Sequence, residues 1–387
     1  MNKINLLFII SGIVRFWERS PGIPNIVRGL SEKGFNIDLV SFTREADELN
    51  KIKTELLEKK FPNIKLYFIK ASKKNPFSCW HIINEIFKNK KIHIVIGEII
   101  NLSTFLSLFL KNQVKIIAHE VRMPKSYKIR IIKRALRGEF SLIKAFELIR
   151  NVKKLSKKVD KVISNSHALN LAVISAFKIK PEKCFTIYRG IDTEFFSFKK
   201  RDSIRTIPEL LFVGNIKPHK GVEDLFEALK FIDKPIKLIL CGKGEPEYIE
   251  FLKSKTQNYK IPHQVSFKGY LTPSELLNYY QNCDIFVFPS HTEGMPRALL
   301  EAMSCGCPVV CSDIPSHKEA IINEVNGVMV SVRSPQSLAQ GILKCINNPK
   351  IIETISINAR KTIEEKFSKE SEIDKWIEVI SQIIYEV

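Results

Sequence analysis

Several features are scarce or missing in this 387-residue chain. No apolar run approaches the ~18 residues that a membrane-spanning helix requires. The longest, residues 4–14 and 99–110, fall short, and the second is broken by Asn101, Ser103, Thr104 and Ser107. A secretory leader is not expected: Ile4–Ile10 has no small-residue cleavage site behind it and runs into Arg15, Trp17, Glu18 and Arg19. That start reads as a buried first strand. None of the eight cysteines forms a Cys-x-x-Cys pair, and no histidine cluster lies near them. A zinc site or disulfide framework is therefore not expected, and a reducing compartment fits. Cys241 and Cys311 sit in apolar runs and read as small core residues. No solenoid-type repeat is present.

Acidic residues are scarce in the first half. Residues 1–200 hold 39 Lys and Arg against 17 Asp and Glu, a net of +22, while the remainder carries −2 of the total +20. The densest stretch, Arg122–Lys161, has 14 basic residues against Glu139, Glu147 and Asp160, a net of +11. Such asymmetry points to a polyanionic partner: an anionic membrane surface, a phosphorylated acceptor, or nucleic acid. The plainer alternative is compositional drift in an Ile-, Lys- and Asn-rich proteome. No RNA-binding motif with interleaved aromatics, zinc finger or basic coiled coil is present, so nucleic acid is not the expected partner.

What is there reads as two α/β domains, which the length also favours. Short apolar runs at 4–10, 37–42, 64–69, 92–96, 114–118, 159–164 and 184–188 predict strands, with helical stretches between them. The pattern restarts with strands at 210–213, 236–240, 265–267, 285–288, 309–312 and 328–332, and helices at 222–229, 337–346, 351–366 and 371–387. The division is a first domain over 1–195, a polar linker over 196–208, a second domain over 209–370 and a terminal helix over 371–387. Two successive parallel, doubly wound units imply a cleft between them, with ligands beyond the C-terminal ends of the strands.

The most informative stretch is Phe288–Met303, which runs strand, loop, helix. Pro296 suits a first helical turn because its missing N–H has no partner there. Gly294 permits close backbone approach to a ligand, and the N–H groups of that turn form an anion site for a diphosphate. Glu293 precedes the helix and Glu301 lies inside it, so two carboxylates are available for sugar and ribose hydroxyls. Two glutamates eight apart would otherwise be unremarkable surface residues.

The whole string, including Gly294-Met295-Pro296, resembles the signature of glycosyltransferase family 4. Val213-Gly214-Asn215-Ile216-Lys217-Pro218-His219-Lys220-Gly221 is similar to that family's first strand and phosphate loop in the second domain. Leu240–Gly244, Val265–Gly269, Cys283–Val287 and Asn326-Gly327 are similar to its later strands and turns, and Ser166 and Gly190-Ile191-Asp192 agree in the first half. The resemblance implies a GT-B fold: two Rossmann-like doubly wound domains facing a cleft, with a final helix crossing back. It implies that Glu301 holds the donor ribose, Glu293 contacts the transferred sugar and Lys220 neutralises the diphosphate. Gly214, Gly294, Met295 and Pro296 would line the donor site. His119, following a strand in His119-Glu120-Val121-Arg122, would touch donor sugar or phosphate; its alternative is a structural role.

Two positions depart from the family pattern. Asn215 stands where the family usually has Arg, and Arg189 or Lys217 is the expected compensating cation. After the first strand only Gly22 matches the usual Gly-Gly, so backbone approach to phosphate is expected there alone. No Asp-x-Asp pair is present, so the expectation is a metal-independent hexosyltransferase with no cofactor beyond a UDP- or GDP-linked sugar substrate. The implied reaction is retaining transfer to a saccharide or lipid-linked acceptor in polysaccharide, lipopolysaccharide or glycolipid synthesis. The basic first half would place it in the cytoplasm, peripherally at the inner face of the membrane, through an interfacial amphipathic helix within 122–161. The alternatives are a GT-B-type sugar-nucleotide epimerase and a non-catalytic nucleic-acid- or anion-binding protein.

Overall fold

The computed structural model describes residues 4–11, 23–43, 58–70, 80–120, 127–137, 141–200 and 203–385. It divides into two units, Met1–Tyr188 with Glu372–Val387, and Arg189–Ser371.

The first unit is built on seven strands: β1 (Asn5–Ser11), β2 (Asn36–Thr43), β3 (Ile64–Lys70), β4 (Ile94–Gly97), β5 (Lys115–Glu120), β6 (Lys161–Ser164) and β7 (Cys184–Thr186). Their order is β3-β2-β1-β4-β5-β6-β7, and every pairing is parallel. Parallel strands need crossover helices, which cover both faces, so the strands are apolar on both sides. Successive side chains therefore enter different cores. Leu7 and Ile9 pack with Val95, Ala118 and Val162 on one face. Leu6 and Phe8 pack with Ile96, Ile117 and Ile163 on the other. The second face is closed by the helix Ile23–Glu32 and by the terminal helix Lys369–Tyr385, which inserts Trp376, Val379, Ile380 and Ile383.

The second unit repeats the plan with β8 (Glu209–Val213), β9 (Lys237–Cys241), β10 (Gln264–Gly269), β11 (Ile285–Phe288), β12 (Val309–Ser312) and β13 (Val328–Val330). The order is β10-β9-β8-β11-β12-β13, again all parallel. This is the 3-2-1-4-5-6 order of dinucleotide-binding sheets. Its direction of winding reverses between β8 and β11, and ligands of such sheets bind in the crevice that the reversal opens.

Three expectations are corrected. The segment 196–208 is not a simple polar linker. Phe196 is buried, its carbonyl accepts from Ser304 Oγ at 2.7 Å and from Arg360 at 3.0 Å, and Lys199 N donates to Cys305 O. The chain is thus already anchored to the second unit from Arg189 onward. The basic stretch forms two helices, Tyr127–Leu136 and Leu142–Lys158, not one. Ser141 starts the second by accepting from Lys144 N. His119 lies inside β5, not beyond it.

Candidate functional site

The loops that leave β8 and β11 meet at the point where the second sheet reverses. The β8 loop descends through Gly214, Asn215 and Ile216 to a single 3₁₀ turn, Pro218–Lys220. Ile216 N donates to Lys243 O at 2.8 Å, which pins the loop to the one after β9. Gly221 then opens the helix Val222–Leu229 with φ +67°, and a Cβ there would collide with the Pro289 carbonyl oxygen. Only glycine meets both demands at once. The close approach brings the two loops into register, and His291 N donates to His219 O at 2.9 Å.

Two polar links cross the same seam. Lys220 Nζ forms a short charge-assisted bond to Glu293 Oε1, with side chains only 17% and 12% exposed. The ammonium also stands 5.6 Å from the centroid of the Phe288 ring at the end of β11. Beside this pair, His291 Nε2 lies 2.6 Å from Asp224 Oδ2, and its Nδ1 accepts from Arg333 Nε at 3.4 Å. That pattern assigns the imidazole proton to Nε2.

Behind the loop, Gly294, Met295 and Pro296 lead into the helix Arg297–Ser304. Pro296 is the cap residue (φ −76°, ψ 118°), one position earlier than a first-turn placement, and no side chain caps this end. Its N–H groups therefore face the loop region without an internal side-chain acceptor. Glu301 is buried in the second turn. Its Oε2 accepts from Tyr280 OH at 2.9 Å and its Oε1 from Arg297 at 2.8 Å, one turn back on the same face. Burial pushes the Glu301 carboxyl upward, against the pull of Arg297, the Tyr280 hydroxyl and Arg189.

The sequence-derived residues therefore divide. Lys220, Glu293, Gly294, Met295, Pro296, Gly214 and Asn215 lie on the two switch-point loops. Glu301 stands one helical turn behind, and Arg189 acts on Glu301 electrostatically. Asn215 and Lys217 are both exposed. His119 belongs to the first unit, where it is 7% exposed and meets Trp376 edge-on at 5.1 Å. Gly22 lies outside the described residues. Among the described residues, no three His, Cys, Asp or Glu side chains gather as a metal site.

Residues without a sequence signal complete the group. His317, on the short helix Pro315–Lys318 after β12, is fully buried, and its Nδ1 lies 2.8 Å from the Ser312 carbonyl. Nδ1 is therefore the donor, and Nε2 is a buried acceptor with no hydrogen-bond partner. Its ring centroid is 5.6 Å from that of Phe288, and it feels the charges of both Glu293 and Lys220. Burial pushes its pKa down to about 4, so the ring is neutral at pH 7. Ser290 and Ser316 are also buried with unpartnered hydroxyls. Such atoms at the end of a sheet are where a ligand's hydroxyls or a water can be received. Tyr280 and Asp224 were equally invisible, because the groups they hold are far away in sequence. Arg297 was legible in principle from its four-residue spacing to Glu301.

A buried carboxylate, a lysine–glutamate pair and an uncapped helix start thus gather at a doubly wound switch point. Residues 194–362 match the family glycosyl transferases group 1, and residues 23–195 match Glycosyltransferase Family 4. The chain belongs to the group 1 glycosyltransferases, with a first unit of the family 4 type. Among curated relatives, an uncharacterized glycosyltransferase of Methanocaldococcus jannaschii, MJ1607, is 31% identical over 54% of this chain and 56% of its own length. A Campylobacter jejuni enzyme, N,N'-diacetylbacillosaminyl-diphospho-undecaprenol alpha-1,3-N-acetylgalactosaminyltransferase, is 29% identical over 49% of this chain and 48% of its own. The chain thus spans about half the length of these relatives. Among solved structures, a glycosyltransferase from Rickettsia africae superposes with TM-score 0.75 at 22% identity over 100% of both chains. Anabaena Alr3699/HepE, in complex with UDP and glucose, gives 0.71 at 19% over 98% of this chain and 100% of its own. At such identity these structures establish the fold: two Rossmann-like units as in GT-B glycosyltransferases.

Proposed function

We propose that this chain is a retaining hexosyltransferase that moves a sugar from a UDP- or GDP-sugar to a hydroxyl of a saccharide or lipid-linked acceptor, without a metal ion. The observation that carries the reading is the Lys220–Glu293 pair, which joins the two loops of the second unit's switch point. A diphosphate entering there meets an ammonium and the N-terminal end of the helix Arg297–Ser304, both of which favour negative charge. As the bond to the anomeric carbon breaks, charge grows on the leaving phosphate, and a fixed cation in a partly dry loop stabilises that charge more than it does the bound donor. Exchange of Lys220 from Glu293 to phosphate leaves the Glu293 carboxylate to accept from sugar hydroxyls. Both oxygens of Glu301 already accept one bond, from Tyr280 and Arg297. Each retains a lone pair for a ribose hydroxyl.

Arg189, near enough to bias Glu301, is better placed to hold that carboxylate ionised than to replace the missing arginine at Asn215. Lys217, exposed on the β8 loop itself, is the proposed replacement. The UDP complex of the Anabaena protein supports a uridine donor. The name of the Campylobacter relative supports a lipid-diphosphate-linked acceptor; the peripheral, cytoplasmic-face location proposed with it rests on the basic first half of the chain. No helix among the described residues is long and apolar enough to cross a membrane.

The test incubates the full chain with UDP- and GDP-sugars, with and without EDTA, and follows released nucleoside diphosphate. Release from one nucleotide class, undiminished by chelation and lost in Lys220→Ala, is expected. Conversion of the donor to an isomer without release would replace transfer by epimerisation. Dependence on added divalent ion would overturn metal independence.

A further inference from the structure

Two thiols lie in contact behind Glu301. Cys283 follows the helix Pro273–Asn282, and Cys307 leads into β12. They are 24 residues apart in sequence, yet their sulfurs stand 3.4 Å apart. Both are buried and reduced. They converge on one acceptor: Cys307 Sγ donates to Tyr280 O at 2.7 Å, and Cys283 Sγ donates to the same carbonyl at 3.7 Å. Tyr280 in turn holds the Glu301 carboxylate through its hydroxyl. Cysteines that only fill a core need neither a sulfur neighbour nor a shared carbonyl.

The cover over this pair is thin. Gln281 and Asn282, both half-buried, come directly before Cys283. The stretch after Phe196 is tied to them by two side-chain bonds. Gln281 Nε2 donates to Ser197 Oγ at 2.9 Å, and Lys199 Nζ donates to Asn282 Oδ1 at 2.6 Å. The second bond is exposed, and exposed polar links open locally at low cost. A small neutral oxidant passes such an opening, whereas a bulky disulfide does not.

We infer that Cys283 and Cys307 are an oxidation site that takes hydrogen peroxide and closes to a disulfide, and that this bond loosens the hold of Tyr280 on Glu301. One thiol takes an oxygen atom from the peroxide and becomes a sulfenic acid, releasing one water. The other thiol attacks that sulfur and the S–S bond forms. The sulfenic oxygen leaves as a second water, carrying the proton of the attacking thiol. Two thiols thus lose two electrons, and one peroxide is reduced to two waters. An S–S bond of ~2.0 Å draws the sulfurs about 1.4 Å closer than the 3.4 Å they now keep. It also removes both S–H donors from the Tyr280 carbonyl. The interior is close-packed, so the shift passes to Tyr280 and through it to Glu301. Formation of the bond stands on the thiols alone, and its effect on donor binding rests on the role proposed for Glu301.

The test treats the full chain with excess hydrogen peroxide, removes it, denatures the chain, blocks the remaining thiols with iodoacetamide and maps the peptides by mass spectrometry. A Cys283–Cys307 cross-link, cleaved by dithiothreitol, is expected. UDP-glucose and GDP-glucose are then titrated calorimetrically into the folded chain. Whichever the reduced chain binds should be held about tenfold more weakly after oxidation, and dithiothreitol should restore the affinity. Cys283→Ala should bind like the reduced parent and be indifferent to peroxide. Cys345→Ala, at a buried thiol on the helix Pro335–Ile346, should stay as sensitive as the parent. An unchanged thermal melt checks that both variants fold. A map with neither thiol linked, a link to Cys305 instead, or a cross-linked chain with the affinity of the reduced parent would each overturn the inference. Failure of the reduced chain to bind either sugar nucleotide would strike the donor-site reading, while the peptide map would still decide the disulfide.

Discussion

His317 offers the most quantitative prediction. It is fully buried and neutral, and it spends its proton on the Ser312 carbonyl. Burial lowers its pKa from 6.5 to about 4. The unfolded chain therefore binds a proton at this residue from about pH 6.5 downward, while the folded chain resists until about pH 4. The stability that the neutral ring contributes is fully present above pH 6.5 and is lost as pH falls toward 4. At ~1.4 kcal/mol per unit the loss is about 3 kcal/mol. Urea unfolding followed by circular dichroism, between about pH 7.5 and about pH 4.5, measures it. Other histidines and carboxylates titrate too, so the quantity to compare is the difference from His317→Asn, whose amide can still donate to Ser312 O. The parent should lose about 3 kcal/mol more than the variant on acidification. Parallel curves would show that the ring is hydrated or partnered in solution, and would remove His317 from the buried group beside Lys220 and Glu293.

Other expected outcomes bear on the same loops. Gly221→Ala forces a side chain into φ +67° and against Pro289, so a melt should show a loss of at least ~2 kcal/mol, with turnover falling as Lys220 is displaced. Tyr280→Phe leaves a buried Glu301 oxygen without its hydroxyl donor; a loss of about 1–3 kcal/mol in unfolding free energy is expected, together with a weaker donor KM. Lys220→Met should lower kcat about a hundredfold with a smaller change in KM, because the charge it meets grows in the transition state. Equal losses in Lys220→Met and a control at exposed Lys350 would show that Lys220 is not poised for the reaction.

Much of the fold could be read because its strands are apolar runs bounded by turns. Ile285–Phe288 and Val309–Ser312 fall where the runs predict them, since both faces of these strands are buried and nothing polar blurs their ends. The strand–loop–helix at 285–304 carries Glu293, Glu301 and the glycine turn in one contiguous stretch, so its partners announce one another. Tyr280, Asp224 and His317 do not, because each joins the group through a strand neighbour or helix packing that no local spacing encodes. The apolar spacing of Arg122–Lys161 resumes after its break and so suggests a single amphipathic helix; the signal for two is Ser141, a helix-starting residue in the middle of the stretch. His119 looked like a loop residue because its strand runs two residues further than the apolar run. The polar composition of 196–208 hid Phe196, a single buried anchor that ties this stretch to the second unit.

The most direct test of the proposed donor site is calorimetric titration of UDP and of GDP sugars into the full chain and into Glu301→Gln. The amide keeps the shape of the buried side chain; its single oxygen can still accept from Arg297 while its NH2 donates to the Tyr280 hydroxyl, but it offers fewer and weaker acceptors to a ribose. Affinity for one nucleotide class should fall roughly ten- to a hundredfold, the effect of losing hydrogen bonds to a charged group. Unchanged affinity in a variant with an unchanged melt would contradict the placement of the nucleotide at the β8 and β11 loops.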